Sequence, residues 1–103
     1  MVEIENLENL LGSGRDSALL RFTLGSAFIK YEQYSKAIEH LEKAIQMQAD
    51  YSAAWKLYGR ALEKNGSLDE AINAYRKGIA VANENGDIQA AREMGVFLKR
   101  LKA

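Results

Sequence analysis

The sequence predicts an all-α fold of about six helices. Apolar residues recur at helical spacing along nearly the whole chain, which is typical of amphipathic helices. Proline, which breaks helices, is absent, and β-branched residues are few. The interruptions are short and polar, as expected of connections between helices. They fall around residues 12–17, 32–35, 48–52, 65–67 and 83–87.

Helices are expected, in order along the chain, over approximately residues 2–11, 17–31, 35–48, 52–64, 68–83 and 87–102. Ser67 and Glu70 form an S-x-x-E capping box, in which each side chain bonds a free backbone N–H, and this pattern predicts the start of the fifth helix. Ser17, Asp50 and Asp87 have the short polar side chains of N-caps and are expected to start three of the others.

Length and charge limit the class of protein. A chain of 103 residues is expected to form one domain without a metal or a disulfide, and it has no cysteine. Its 14 basic and 14 acidic residues give a formal net charge of zero, which argues against nucleic acid or an anionic membrane as a partner. The acidic N-terminus does not resemble a secretory signal, and no apolar run approaches the ~20 residues that span a bilayer. We therefore expect a cytoplasmic protein.

One constant spacing, the one from Gly25 to Gly59, relates small and large apolar positions in residues 18–51 to those in residues 52–85. The other matched pairs are Ala37 and Ala71, Ile38 and Ile72, Leu41 and Tyr75, and Ile45 and Ile79. So many matches at one spacing indicate two copies of a repeated unit.

The second copy resembles the tetratricopeptide repeat, whose pattern is W-x2-L-G-x2-Y, A-x3-F and a closing P. The matching residues are Trp55, Tyr58, Gly59, Leu62, Ala71 and Tyr75, and in the first copy Leu24, Gly25, Phe28, Ala37, Leu41 and Ala44. Arg21 stands where the first copy would have tryptophan, and Ala49 and Asn83 replace the closing prolines. The resemblance implies a right-handed superhelix of antiparallel helix pairs, a TPR-like α-solenoid, whose first helices line an inner groove.

The repeat also explains why glycine occurs inside a helical pattern, where it costs about 1 kcal/mol relative to alanine. We expect Gly25 and Gly59 to mark the place where the two helices of each repeat cross most closely. Ala37 and Ala71 are expected to serve the same purpose on the second helices.

The flanks fit the same register less well. Counting the same spacing back from Ile38, Leu41 and Ile45 gives Ile4, Leu7 and Leu11, all apolar. We therefore interpret residues 1–16 as a degenerate half-repeat cap and linker, 17–51 as repeat 1, 52–85 as repeat 2 and 86–103 as a C-terminal capping helix with a broad apolar arc.

No catalytic or metal-binding pattern is found. His40 has Lys36 and Ala44 at the helical positions where a second metal ligand would stand, so a solvent-facing histidine is expected. The GSGRD segment at 12–16 follows no strand and lacks the Lys-Ser/Thr of a phosphate loop, so it is interpreted as a linker. We expect no enzyme activity, cofactor or metal.

Helical phase predicts which residues face the groove. On the first helix of repeat 1 they are Leu19, Phe22, Ser26, Ile29 and Lys30. On the first helix of repeat 2 they are Lys56, Arg60 and Lys64, with Ala53 and Glu63 beside them. On the last helix they are Met94 and Phe97, with Asp87 and Ala90. These positions predict a groove that is apolar in its first third and basic in its middle.

The function expected from this groove is recognition of a protein or peptide segment. An apolar anchor would contact Phe22 and Ile29, and an acidic group would lie near Lys56 and Arg60. Some members of the family bind acidic chaperone tails through a clamp of Lys, Asn and Arg. The matching positions here hold Phe22, Ser26, Leu57, Asp87 and Ala91, so that activity is not transferred.

Other interpretations stay open at this point. The N-terminal segment or a second copy of the chain could cover the apolar part of the groove, and the basic residues could be ordinary solvated charges. The acidic start and basic end could also support a structural role, as a weak homodimer or a head-to-tail assembly without a separate ligand. RNA binding would need more positive charge and stacking aromatics than the first helices offer.

Overall fold

The computed structural model describes residues 1–102, and Ala103 lies outside that range. The helices are α1 (Val2–Gly12), α2 (Ala18–Lys30), α3 (Tyr34–Met47), α4 (Ser52–Lys64), α5 (Leu68–Asn85) and α6 (Ile88–Lys102). No strand occurs within residues 1–102. The predicted all-α fold is confirmed.

Two of the four predicted helix caps are confirmed. The Ser17 side chain accepts a hydrogen bond from the backbone N–H of Leu20 at 3.0 Å, and Asp87 Oδ1 accepts one from Ala90 at 3.2 Å. The capping box is wrong: the fifth helix starts after Ser67, but the Ser67 side chain makes no cap hydrogen bond. Its hydroxyl instead accepts from Asn65 Nδ2 at 3.4 Å. Asp50 is also not a cap, since α4 starts one residue later, after Tyr51.

The two first helices end in the same way. Glu32 follows α2 with φ 58°, and Gly66, the equivalent residue of the next repeat, follows α4 with φ 84°. In both turns the next N–H bonds back to a helix carbonyl, from Gln33 to Phe28 at 2.8 Å and from Ser67 to Leu62 at 2.9 Å. This left-handed ending suits glycine and is unusual for glutamate.

The helices stack in sequence order, with α2 against α3, α4 against α5 and α6 closing on α5. The first helices α2, α4 and α6 also contact one another in a row, and α1 packs against α2. This order gives antiparallel pairs in a right-handed superhelix, in a molecule of 41 × 27 × 18 Å. The predicted architecture is confirmed.

One glycine contact joins the two helices of each repeat. A Cβ added at Gly25 would lie 2.7 Å from Leu41 Cδ2, and one added at Gly59 would lie 2.6 Å from Tyr75 Cδ1. Leu41 and Tyr75 are fully buried, as are Ala37 and Ala71 one turn earlier on the same helices. The large side chain on α3 or α5 therefore fills the space that glycine leaves on α2 or α4.

The spacing changes before the last helix. Helix α5 has 18 residues against 14 for α3, and its end is marked by Gly86 at φ 75°. As a result, Met94-Gly95-x2-Leu98 in α6 repeats Tyr58-Gly59-x2-Leu62, but two positions later than the spacing from Gly25 to Gly59 would place it. Positions on α6 predicted from the spacing of the first two repeats are therefore displaced by two residues, which turns them to another side of the helix.

Candidate functional site

The face of α2 that was predicted to bind a partner is partly covered. Phe22 stacks on Tyr51 with ring centroids 5.0 Å apart, and Ile29 packs against the core cluster that includes Ile4 of α1. Leu19 keeps 65% of its surface exposed. Ser26 and Lys30 are exposed. The apolar part of this face is therefore smaller than the sequence suggested, and a shallow cleft of about 220 Å³ runs along Phe22, Ser26 and Lys30.

The basic residues of α4 differ in their surroundings. Lys56 donates a hydrogen bond to Glu93 of α6 at 3.1 Å, so its charge is already paired. The Arg60 guanidinium lies over the ring of Phe97, 4.4 Å from the centroid. Lys64 is exposed.

The prediction for Met94 is wrong. Its side chain is fully buried, with Sδ close enough that a Cβ on Gly78 would lie 2.5 Å away. Ala90 is also buried, at 5% exposure. Phe97 is half-buried against Tyr75, with ring centroids 5.6 Å apart. The physical reason is the two-residue displacement of α6, which turns Met94 into the core.

When α6 is aligned with α4 at Gly95, a different set of α6 residues takes the positions that face the groove. Arg92, Val96 and Arg100 occupy the same positions relative to Gly95 that Lys56, Arg60 and Lys64 occupy relative to Gly59. Arg92 and Arg100 are exposed, and Val96 keeps 56% of its surface open. These three residues could have been found from the sequence, because the Met-Gly pair of α6 matches the Tyr-Gly pair of α4.

Arg60 and Arg100 converge on one aromatic ring. The Arg100 guanidinium is 5.2 Å from the Phe97 centroid, against 4.4 Å for Arg60. Within residues 1–102 neither arginine forms an ion pair. The acid beside Arg60 on α4, Glu63, accepts a hydrogen bond from the Tyr75 hydroxyl at 2.9 Å. We call the surface that carries Phe22, Arg60 and Arg100 on α2, α4 and α6 the groove face.

His40 lies outside the groove face and is not solvent-facing as predicted. Its ring is parallel to that of Phe28 with centroids 5.5 Å apart, and Arg21 donates to its Nδ1 at 3.1 Å. Burial, and then the positive charge of Arg21, lowers the pKa of His40 below its ordinary value. Arg21 is itself paired with Asp16 at 2.9 Å. Arg21 occupies the tryptophan position of the repeat, so a polar chain from Asp16 to His40 replaces an apolar contact there.

No group of three histidine or acidic side chains in residues 1–102 has the geometry to hold a metal ion. Among the same residues, no helix combines the length and apolar character needed to cross a membrane.

Comparison with known proteins identifies the repeat. A family model for the tetratricopeptide repeat matches residues 28–94. A TPR repeat-containing protein of Pseudomonas aeruginosa is 44% identical over 98 residues, which cover 95% of this chain and 93% of that protein. The chain belongs to the tetratricopeptide repeat family. The resemblance seen in the sequence is confirmed.

Solved structures agree with this membership. The TPR chain is similar to a Bordetella parapertussis protein whose solution structure superposes with a TM-score of 0.84, at 41% identity over 96% of this chain and 86% of that one. The second TPR domain of human RPAP3, solved in complex with an HSP70 peptide, has a TM-score of 0.70 at 22% identity, covering 99% of this chain and 94% of that domain. The second likeness concerns the fold alone. Tetratricopeptide repeats are protein-interaction modules, in which stacked helix pairs form an extended concave surface.

Proposed function

We propose that this TPR protein is a non-enzymatic module that binds a protein or peptide segment along the groove face. The segment would carry an acidic group that contacts Arg60 and Arg100 and an apolar side chain that contacts Leu19 and Phe22. The observation that carries the proposal is the convergence on the ring of Phe97 of two guanidinium groups that form no ion pair within residues 1–102.

The chemistry of that cluster favours an anionic partner. Two guanidinium groups near one ring repel each other, and a carboxylate between them relieves the repulsion and accepts hydrogen bonds from both. Glu63 is bonded to Tyr75 and Glu93 to Lys56, so these neighbouring acids are already engaged. Further positive charge comes from Lys64 on α4 and Arg92 on α6, both exposed.

The apolar contact lies at the other end of the groove face. Leu19 is exposed, and the Phe22 ring is held in place by its stacking on Tyr51. A side chain held in place before binding loses little conformational freedom in the complex, so it makes an effective anchor. The predicted anchor on Ile29 is weaker, because Ile29 packs partly into the core.

The test uses a library of synthetic peptides about ten residues long in which the positions of acidic and apolar residues vary. We expect the protein to select peptides that combine both features. Alanine at Arg60 or Arg100 is expected to weaken binding of the selected peptides by ~1–3 kcal/mol, which is roughly 5- to 150-fold. Phe22→Ala is expected mainly to weaken the preference for peptides that carry an apolar residue.

The matched control is Arg76→Ala, because Arg76 is also exposed but lies on α5. Its binding should equal that of the unchanged protein, and circular dichroism should show that all variants are folded. Selection without acidic preference, or equal affinities for the Arg60, Arg100 and Arg76 variants, would contradict the proposed groove.

A further inference from the structure

The last helix lacks the neighbour that its sequence position calls for. Gly25 and Gly59 each receive a large side chain from the second helix of their repeat, whereas a Cβ added at Gly95 would meet nothing within 4 Å. An open cleft of about 460 Å³ lies over Gly95, and Leu98, Lys99 and Lys102 line the rest of it. Helix α6 therefore has the form of a first helix whose second helix is not supplied by residues 1–102.

The first helix of the chain has the complementary form. Leu7 of α1 precedes Leu41 by the same spacing that separates Leu41 from Tyr75, and Leu41 is the side chain that fills the space at Gly25. Helix α1 contacts α2 and buries Ile4 there, while Leu7 is half-buried. Helix α1 thus has the form of a second helix whose first helix is not supplied by residues 1–102.

We propose that α1 of one copy docks on α6 of another, so that two molecules continue one superhelix head to tail. Leu7 of one copy would fill the space at Gly95 of the next, as Leu41 and Tyr75 do within the repeats. We call the α1–α2 surface with Glu3, Leu7 and Ala27 the N-terminal end face. The α6 surface with Gly95, Val96 and Lys102 is the C-terminal end face.

Charge favours this pairing over a symmetric dimer. In an antiparallel helix pair, moving one turn back from Leu7 to Glu3 moves one turn forward from Gly95 to Lys99. Glu3 would therefore lie beside Lys99 and Lys102 of the other copy. Because Glu3 holds the position that Ala37 and Ala71 hold in the repeats, an ion pair would replace the close alanine contact there. Docking α6 on α6 about Gly95 would instead set Lys99 against Ala91 and Lys102 against Ile88, and docking α1 on α1 about Leu7 would set Glu3 against Leu11, so neither symmetric pairing gives these charges a partner of opposite sign.

The row of first helices gives a second, independent fit. Arg60 contacts Phe97, so the residue directly after the glycine of α4 meets the second residue after the glycine of α6. Continued into a second copy, the same geometry brings Val96 of α6 to Ala27 of α2. Val96 is 56% exposed, and Ala27 borders the cleft of about 220 Å³ that also includes Glu3 and Thr23. An exposed apolar side chain thus meets an open cleft.

The interface of one helix pair is small, so association is expected to be weak. Because the two end faces differ, the contact is heterologous and does not stop at two copies. Sedimentation equilibrium over roughly 10 µM to 1 mM, a range in which small interfaces associate, should show an average mass that rises from 11.5 kDa past twice that value.

Charge reversal at Glu3 and Lys102 tests whether the two end faces dock on each other. Glu3→Lys alone and Lys102→Glu alone should each weaken association about tenfold, and an equimolar mixture of the two variants should recover it, because each altered end face then meets a complementary one. Arg76→Glu is the control, since it makes the same charge change as Lys102→Glu on an exposed part of α5 and should leave association unchanged.

Three results would overturn the proposal: a monomer at every concentration, a mass that levels off at two copies, or equal association of the Lys102→Glu and Arg76→Glu variants. These outcomes are distinguished from peptide binding by Arg60 and Arg100, which are unchanged in all of these variants; the two surfaces share only the cleft beside Phe22 and Ala27.

Discussion

Gly59 of α4 and Tyr75 of α5 are in direct contact, and a Cβ at Gly59 would lie 2.6 Å from Cδ1 of the tyrosine ring. The ring cannot easily yield, because it is fully buried and its hydroxyl donates to Glu63 at 2.9 Å. We therefore expect Gly59→Ala to lower the free energy of unfolding by about 1–3 kcal/mol through overpacking. Urea denaturation checks this value.

Gly95→Ala is the matched control for Gly59→Ala. Gly95 is also inside a helix, but a Cβ there meets nothing within 4 Å. Alanine should therefore raise the free energy of unfolding by about 0.5–1 kcal/mol, since it loses less conformational freedom than glycine. Stability should be measured at low protein concentration, where self-association is absent. If both substitutions changed stability in the same direction, the helix contact at Gly59 would not explain the glycine.

The turns after α2 and α4 offer a second pair of equivalent positions. Glu32 has φ 58°, where Gly66 in the next repeat has φ 84°. A left-handed conformation costs roughly 1 kcal/mol for a residue with a Cβ. We expect Glu32→Gly to stabilise the protein by up to about 1 kcal/mol and Gly66→Ala to destabilise it by a similar amount. Thermal melting of the two variants should move in opposite directions; a lower melting temperature for Glu32→Gly would contradict this account.

His40 should make stability depend on pH near neutrality. Its pKa in the folded protein lies below the ordinary value of 6.5, because burial and then Arg21 disfavour the charged ring, against weaker opposite effects of Glu39, Glu8 and Asp16. The unfolded chain therefore binds the proton more readily. The contribution of His40 to stability is present in full above pH 6.5 and is lost as pH falls through the pKa of the folded state.

Urea denaturation at several pH values from about 5.5 to 8 measures this effect, because the ordinary histidine pKa lies within that range. The unchanged protein should lose more stability toward low pH than His40→Gln, whose side chain does not titrate. Parallel curves would show that the folded and unfolded states have the same histidine pKa. Arg21→Met should raise the pKa of His40 measured by NMR, by removing the second cause of the shift.

Tyr58 should make the stability of the protein depend on pH in a second, alkaline range. Burial, assisted by the charge of Glu42, raises the pKa of Tyr58 from 10.0 to about 12. A raised folded-state pKa means that its contribution to stability is present below pH 10 and is lost as pH rises through about 12. Tyr58→Phe should show a smaller loss of stability between these values. Identical loss in the variant would mean that another group controls the alkaline transition.

The fold could be predicted almost completely because the information was local and repeated. Apolar spacing predicted six helices, and the repeated motif around Gly25 and Gly59 identified the family. The errors at Ser67 and Asp50 concern hydrogen bonds of single side chains. Such bonds depend on the exact backbone angles of one turn, which no pattern of residue types specifies.

The groove face was less predictable, because it depends on the rotation of each helix about its own axis. On α6, two additional residues between the repeats turned Met94 inward and placed the ring of Phe97 beside Arg60 of α4. The pairing of Lys56 with Glu93 also joins different helices, and sequence spacing alone could not show it. Partner binding by the remaining residues stays a prediction.

The open contact at Gly95 has a consequence for how such a chain can change through gene duplication. One further repeat inserted after α6 would find its first packing position already present, so existing helices would not need to be redesigned. Lengthening the array is therefore a small mutational step for this protein.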